Sequence, residues 1–268
     1  MNDDAAGDET PFGAALRESL KLHGVRLEGF CSRRDAVARR VLEEYGAMFV
    51  ASRRVRVPPV CVFSSEQEVL RFQEEATPQA EPFGEVIIEL QPAAMQALVE
   101  AREEARGAGL DVTPRGGAEA GRRSFNDSLR LWNSRVAPAL EHWRNEGRLL
   151  TEQCERLRCL SLYEQIAEVL KLETEGILFS KDFSKTILQS VAAPGSSQHL
   201  AMLAFDAFEY DDEHVRRILA RHGWFQTVRS DLPHFTFLGL EEGELPERGL
   251  RRHVEANGQI FWTPDMGG

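Results

Sequence analysis

The chain has 268 residues, 42% apolar and 28% charged, the make-up of an ordinary globular protein long enough to bury a sizeable core. No apolar run approaches the roughly 20 residues that carry a helix across a bilayer, which excludes a membrane-spanning helix. Its 43 acids against 32 bases give a formal charge of −11, which repels a phosphate backbone and removes the electrostatic term that nucleic-acid binding depends on.

The opening MNDDAAGDET is acidic where an export signal starts basic and turns apolar. The chain as written is therefore expected to be cytoplasmic, or secreted if a leader is missing. Apolar spacing then predicts helices over 32–47, 64–76 and 92–109, each opened by Ser or Pro. Between them the runs AMFVA (47–51), VCVF (60–63) and EVIIELQ (85–91) have the β-branched and aromatic content of strands. Residues 1–84 read as a small N-terminal α/β appendage and residues 85–268 as the main domain.

From 110, LDVTPRGG predicts a strand entering a glycine-rich turn, followed by a helix capped by Ser124 and interrupted near Pro138. A further helix is expected over 150–172. AAPGSS (192–197) marks a loop, LAMLAFDAF (200–208) a strand and DDEHVRRILARHG (211–223) a helix with acids at its start and Gly223 at its end. WFQTV, HFTFLG and GQIFWTP supply the last strands. This order is α+β: a small antiparallel sheet flanked by helices.

Cys31, Cys61, Cys154 and Cys159 lack metal-ligand spacing, since CERLRC places its two thiols about 140° apart on a helix. They read as buried or free thiols, and a Cys31–Cys61 bridge would require an oxidising compartment. His214, His222 and His253 lie in charged surroundings and are expected to face solvent. Trp132 and Trp143, eleven residues apart on one helix, share a face and read as core.

The stretch SQHLAMLAFD (197–206) sets His199 and Asp206 around an apolar run. In one straight strand the two would be about 23 Å apart and on opposite faces. They can share an ion only if the chain bends after His199, and the upstream APGSS makes a loop-borne histidine and a strand-borne aspartate compatible. In DLPHFTFLG, His234 offers a third ligand, with Asp231 three residues before it and Pro233 stiffening the turn. Two histidines and a carboxylate, with a spare carboxylate beside them, are the make-up of a catalytic zinc site. Both imidazoles must then lie within about 6 Å of each other.

These residues resemble the zinc peptidases of the D-alanyl-D-alanine carboxypeptidase group, the VanY-like enzymes and the related L-alanyl-D-glutamate endopeptidases. The family pattern Ser-x-His-x-x-Gly-x-Ala-x-Asp meets Ser197, His199, Ala204 and Asp206 in register, with Met202 at the glycine position. Asp231, Pro233, His234, Phe235, Phe237 and Gly239 match the second pattern, and Gly121, Arg123 and Ser124 the weaker arginine motif. The resemblance covers roughly residues 92–239.

It implies a zinc metallopeptidase cutting peptidoglycan stem peptides, of D,D-carboxypeptidase or L-Ala-D-Glu endopeptidase type. His199, Asp206 and His234 would hold Zn2+, and Asp231 would serve as general base. Arg123 would bind the substrate carbonyl or carboxylate, with Arg122 and Arg115 as rivals, and Ser197 would contribute to substrate binding. The alternative is a catalytically silent peptide- or protein-binding module on the same fold. Met202 in place of glycine, the missing export signal and the additional 84 residues favour that alternative.

Overall fold

Side-chain caps set where most of the helices begin, in a computed structural model that describes residues 10–31 and 35–267. Helix α1 (Pro11–Leu22) starts where the Thr10 hydroxyl accepts from Gly13 N–H, and α2 (Ala36–Tyr45) where Asp35 accepts from Val37 and Ala38. The helical start expected at 32–34 lies outside the described residues. Helix α3 (Glu66–Glu75) is capped by Ser65. A hairpin of β1 (Gln79–Phe83) and β2 (Val86–Leu90) leads into α4 (Pro92–Gly107).

Ser124 and Asp127 form a capping box at α5 (Phe125–Asn145), as the sequence predicts. That helix runs unbroken through Pro138, contrary to expectation. Burial of Trp132, Val136, Ala139 and Leu140 along it outweighs an interior proline's cost of about 3 kcal/mol. The helix expected over 150–172 is two, α6 (Thr151–Cys159) and α7 (Leu162–Thr174). Extended backbone at Leu160 separates them, and Ser161 opens the second with Glu164.

Then come β3 (Ala204–Asp206), α8 (Glu213–Arg221), β4 (Trp224–Phe225), β5 (His234–Phe237), β6 (Leu250–Val254) and β7 (Ile260–Pro264). All pairings are antiparallel: β1 with β2, the three-stranded order β3-β5-β4, and β6 with β7. The class is α+β, with the sheets small and the helices dominant.

Two cores stabilise this arrangement. One gathers Phe12, Phe49, Phe63, Leu98, Phe205, Trp224 and Phe237; the other, between α5, α6 and α7, holds Trp132, Leu140, Val169 and Phe179. Trp132 is fully buried, and Trp143 packs partly buried against the same cluster. The boundary expected at residue 84 falls in the turn between β1 and β2, and the first core joins residues from both sides of it. The N-terminal segment is thus packed into the body of the protein.

Several expected strands take other forms. AMFVA lies in a buried 3-10 turn, Gly46–Val50, whose apolar side chains fill the first core without a strand partner. VCVF is irregular: Phe63 N–H donates to the Gly195 carbonyl, and Cys61 is disulfide-bonded to Cys31, replacing the expected thiols. LDVTPRGG contributes only a single bridge, Pro114 to Ala207. Of the three surface histidines only His214 is exposed. His222 lies within 2.8 Å of Glu104 and 3.7 Å of Glu100 and fastens α8 to α4, and His253 is half-buried.

Candidate metal centre

Strand register brings the first two candidate ligands together. In the β3–β5 pair, Ala204 faces Thr236, Phe205 faces Phe235 and Asp206 faces His234. Directly opposed residues of an antiparallel pair project to the same side. Asp206 and His234 therefore share one face, while Phe205 and Phe235 turn into the first core.

His199 arrives from a 3-10 turn, Gln198–Ala201, and the bend required after it is made at Met202, whose φ of 54° and ψ of 36° are left-handed. This is the position where the resembled pattern has glycine, the residue that adopts such angles without strain. Methionine holds them here because its side chain is fully buried in the first core. Two buried glutamine amides hold the turn itself. Gln73 donates to the carbonyls of Leu200 and Arg123, and Gln91 to those of Ala201 and Arg56.

Three donor atoms converge. His199 Nε2 lies 3.2 Å from His234 Nδ1 and 3.3 Å from Asp206 Oδ1, and His234 Nδ1 lies 3.2 Å from the same oxygen. Three ligands of a tetrahedral ion at bond lengths near 2.0–2.1 Å are separated by about 3.3–3.4 Å, so the triangle has the dimensions of such a site.

Outer hydrogen bonds fix which nitrogens are bare. His199 Nδ1 donates to the Gly121 carbonyl at 2.7 Å, leaving Nε2 without a hydrogen. His234 Nε2 donates at 2.7 Å to Gln198 Oε1, whose amide is oriented by donation of its own nitrogen to the Tyr45 carbonyl. His234 Nδ1 is then bare as well. Two lone pairs and a carboxylate facing one another at 3.2–3.3 Å repel unless a cation sits among them. The donor set and its outer shell fit a divalent metal.

Protonation agrees with this. Burial, and then the Arg123 guanidinium, lower the His199 pKa to about 4, so its imidazole is neutral near pH 7. Burial acts to raise the Asp206 carboxyl, but in the acid range where it titrates His199 is itself protonated, and that charge, its hydrogen bond and those of His234 outweigh burial and hold Asp206 well below the usual carboxylate range, so it is anionic near pH 7. A neutral imidazole and an anionic carboxylate are the forms that bind metal.

A cavity of about 240 Å³ opens on this triangle, lined by His199 and His234 together with Arg123, Ser197 and Asp231. Asp231, Arg123 and Ser197 thus reach one cavity, and the rival arginines Arg122 and Arg115 do not line it. Arg123 donates through one terminal nitrogen to Asp206 Oδ2 at 2.5 Å and through Nε to the Glu119 carbonyl, leaving other guanidinium N–H groups uncommitted. Arg122 is engaged with Gln73 and Glu89, and Arg115 lies over the Tyr210 ring.

Asp231 sits at the solvent-exposed mouth and its carboxylate accepts no hydrogen bond among the described residues. Crowding by surrounding chain raises its pKa, Asp206 adds to the effect, and His234 opposes it.

Sequence reasoning missed the outer shell. Gly121 was noticed only as part of a motif, yet its carbonyl orients His199, and a Cβ there would come within 2.9 Å of Ile88. Gln198 sits inside the SQH stretch, where polarity beside a buried histidine was its one signal. Gln73 and Gln91 gave none: Gln73 lies in a helical pattern and Gln91 ends an expected strand, and neither position differs from a surface glutamine in sequence. No family model, curated protein or solved structure matches the chain significantly.

Proposed function

We propose that the chain is a zinc-dependent peptidase acting on cell-wall stem peptides, of the carboxypeptidase or L-Ala-D-Glu endopeptidase type its motifs resemble. The observation that carries this reading is the triangle of His199, Asp206 and His234 donors, two of them bare nitrogens, open to a cavity that also holds a free carboxylate and an arginine. His199, Asp206 and His234 hold the ion. Zinc in such a site supplies Lewis acidity, lowering the pKa of water toward about 7 and polarising a carbonyl.

The remaining tasks belong to the chain. Asp231, at the cavity mouth, takes a proton from the attacking water and returns it to the leaving amine. Arg123 offers its uncommitted N–H groups to the carbonyl oxygen as negative charge develops there. Ser197 adds a hydroxyl to the cavity wall. The Cys31–Cys61 bridge supports work in an oxidising compartment, where wall peptides are found.

One observation favours the silent binding module as second reading: Arg123 is ion-paired with a ligand carboxylate, which partly occupies the group assigned to the oxyanion. Digestion of muropeptides followed by mass spectrometry separates the two. The peptidase loses either a terminal D-Ala or the fragment beyond L-Ala, and Asp231→Ala abolishes cleavage while retaining zinc. Zinc-loaded wild type that leaves every muropeptide intact supports the binding module instead.

A further inference from the structure

The cavity over the metal-ligand triangle has a far end that the chemistry at the triangle does not use. One wall is α5, whose Ser128, Leu131 and Arg135 fall on a single stripe of the helix and line the cavity together. The facing wall is the segment 188–192. Its Leu188 carbonyl accepts from the buried Tyr45 hydroxyl at 2.6 Å, which holds that wall in place. The cavity is thus a trench along α5, running from Arg123 just before the helix to Arg135 about three turns into it.

Arg135 differs from Arg123 in having no carboxylate partner. Its Nε donates to Ser190 Oγ across the trench at 2.8 Å, and one terminal nitrogen donates to Ser134 Oγ at 2.8 Å. Arg135 makes no ion pair among the described residues, whereas Arg123 is paired with Asp206. Asp231 is the one acid among the described residues lining the cavity, and it is not paired with Arg135. Two hydroxyls therefore orient a half-buried guanidinium without neutralising it, and its other N–H groups stay uncommitted. A planar, fixed fork of donors with its charge unmatched is suited to a carboxylate.

The helix sets how far from the ion that carboxylate would lie. Arg135 is ten residues beyond Phe125, the first residue of α5, which is about 15 Å along the axis. Long helical side chains lean back toward the helix start by about one turn, roughly 5 Å. The guanidinium then stands on the order of 10 Å from the metal end of the trench, the length of about three residues of extended peptide.

Resting on the peptidase reading above, we infer that Arg135 is a specificity-determining residue that binds a substrate carboxylate about three residues away from the bond that is cut. Ser190 positions its guanidinium, and the peptide lies along α5 between the two arginines. Arg123 serves the reacting carbonyl and Arg135 the distant acid. The substrate class is a peptide with an acidic group set back from the scissile bond.

Calorimetric titration of the zinc-loaded protein with hydroxamates tests this, because the hydroxamate group binds the ion and its tail enters the trench. Suberic acid monohydroxamate, whose chain spans roughly the required distance, is compared with its uncharged terminal amide. Succinic acid monohydroxamate and its amide carry the same groups on a chain too short to reach Arg135, and acetohydroxamate carries no tail. The suberic acid compound is expected to bind about tenfold or more tightly than its amide, and Arg135→Gln to abolish that preference. The same variant is expected to bind acetohydroxamate as wild type does and to leave any acid preference of the succinic pair unchanged. Failure of every hydroxamate to bind overturns the metal reading and this inference with it. Binding of acetohydroxamate without an acid preference in the suberic pair, or a suberic preference that persists in Arg135→Gln, overturns the role of Arg135 alone. The acid-to-amide comparison is made in wild type and needs no variant to fold.

Discussion

Arg123 and Asp206 share one carboxylate between structure and chemistry: the guanidinium takes Oδ2 at 2.5 Å while Oδ1 faces both imidazoles. The ion pair fixes the rotation of the ligand, and the rest of the guanidinium remains beside the cavity. Removing Arg123 therefore removes the donor proposed to act on developing charge but none of the three proposed ligands. Arg123→Ala is expected to retain zinc and to lower kcat/KM on muropeptides by about 10²-fold or more. Metal analysis and steady-state kinetics on the same preparation check both halves, and loss of zinc with activity would show the arginine to be only a ligand support.

The tautomer of His234 depends on Gln198, whose Oε1 accepts from Nε2 at 2.7 Å. Gln198→Leu keeps the size and removes the acceptor, so the imidazole is free to carry its hydrogen on the side facing His199. Zinc affinity is expected to fall about 10–100-fold, as is typical when such an outer partner is lost. Competition with a chelator of known affinity measures it.

Met202 sets two effects against each other. Met202→Gly relieves left-handed strain worth about 1–2 kcal/mol but deletes a fully buried side chain, a change that costs about 2–5 kcal/mol when Met becomes Ala. The cavity wins. The variant is expected to unfold at lower temperature than wild type in calorimetry while still binding zinc, because the bend it must make is the one glycine favours.

Met202 also shows where the sequence was legible and where it was not. The convergence of His199, Asp206 and His234, and the presence of Asp231 and Arg123 in the same cavity, were legible because each residue sits in a short motif whose residue types have few structural uses together. The need for a bend after His199 followed from strand geometry alone, and Asp206 meets His234 through a β3–β5 register that alternation made possible. AMFVA and VCVF misled because a short apolar run reads the same as a strand, a buried turn or a core loop, and only tertiary partners decide. The partners of Gln73, Gln91 and Gln198 lie up to 153 residues away along the chain, beyond any local pattern.

Glu173 gives a pH test away from the metal. Its carboxylate is buried and accepts from Ile187 N–H at 2.5 Å and Phe179 N–H at 3.3 Å; burial dominates and raises its pKa from 4.5 to about 7. Between those values the folded state binds more protons than the unfolded one, so stability conferred by the protonated form is present below about pH 4.5 and lost as pH rises through about 7. Glu173→Gln is expected to flatten this decline and to narrow or reverse any deficit relative to wild type at pH 8 compared with pH 5. Denaturant unfolding of both proteins at the two pH values checks the sign, and parallel pH profiles would assign the decline to other groups.

Zinc bound by His199, Asp206 and His234 is the claim from which the peptidase reading follows, and elemental analysis of chelator-free protein tests it most directly. Wild type should carry one zinc per chain, and His199→Ala and His234→Ala should carry almost none while remaining folded by circular dichroism. A folded wild type that is metal-free and takes up no zinc on titration would contradict it.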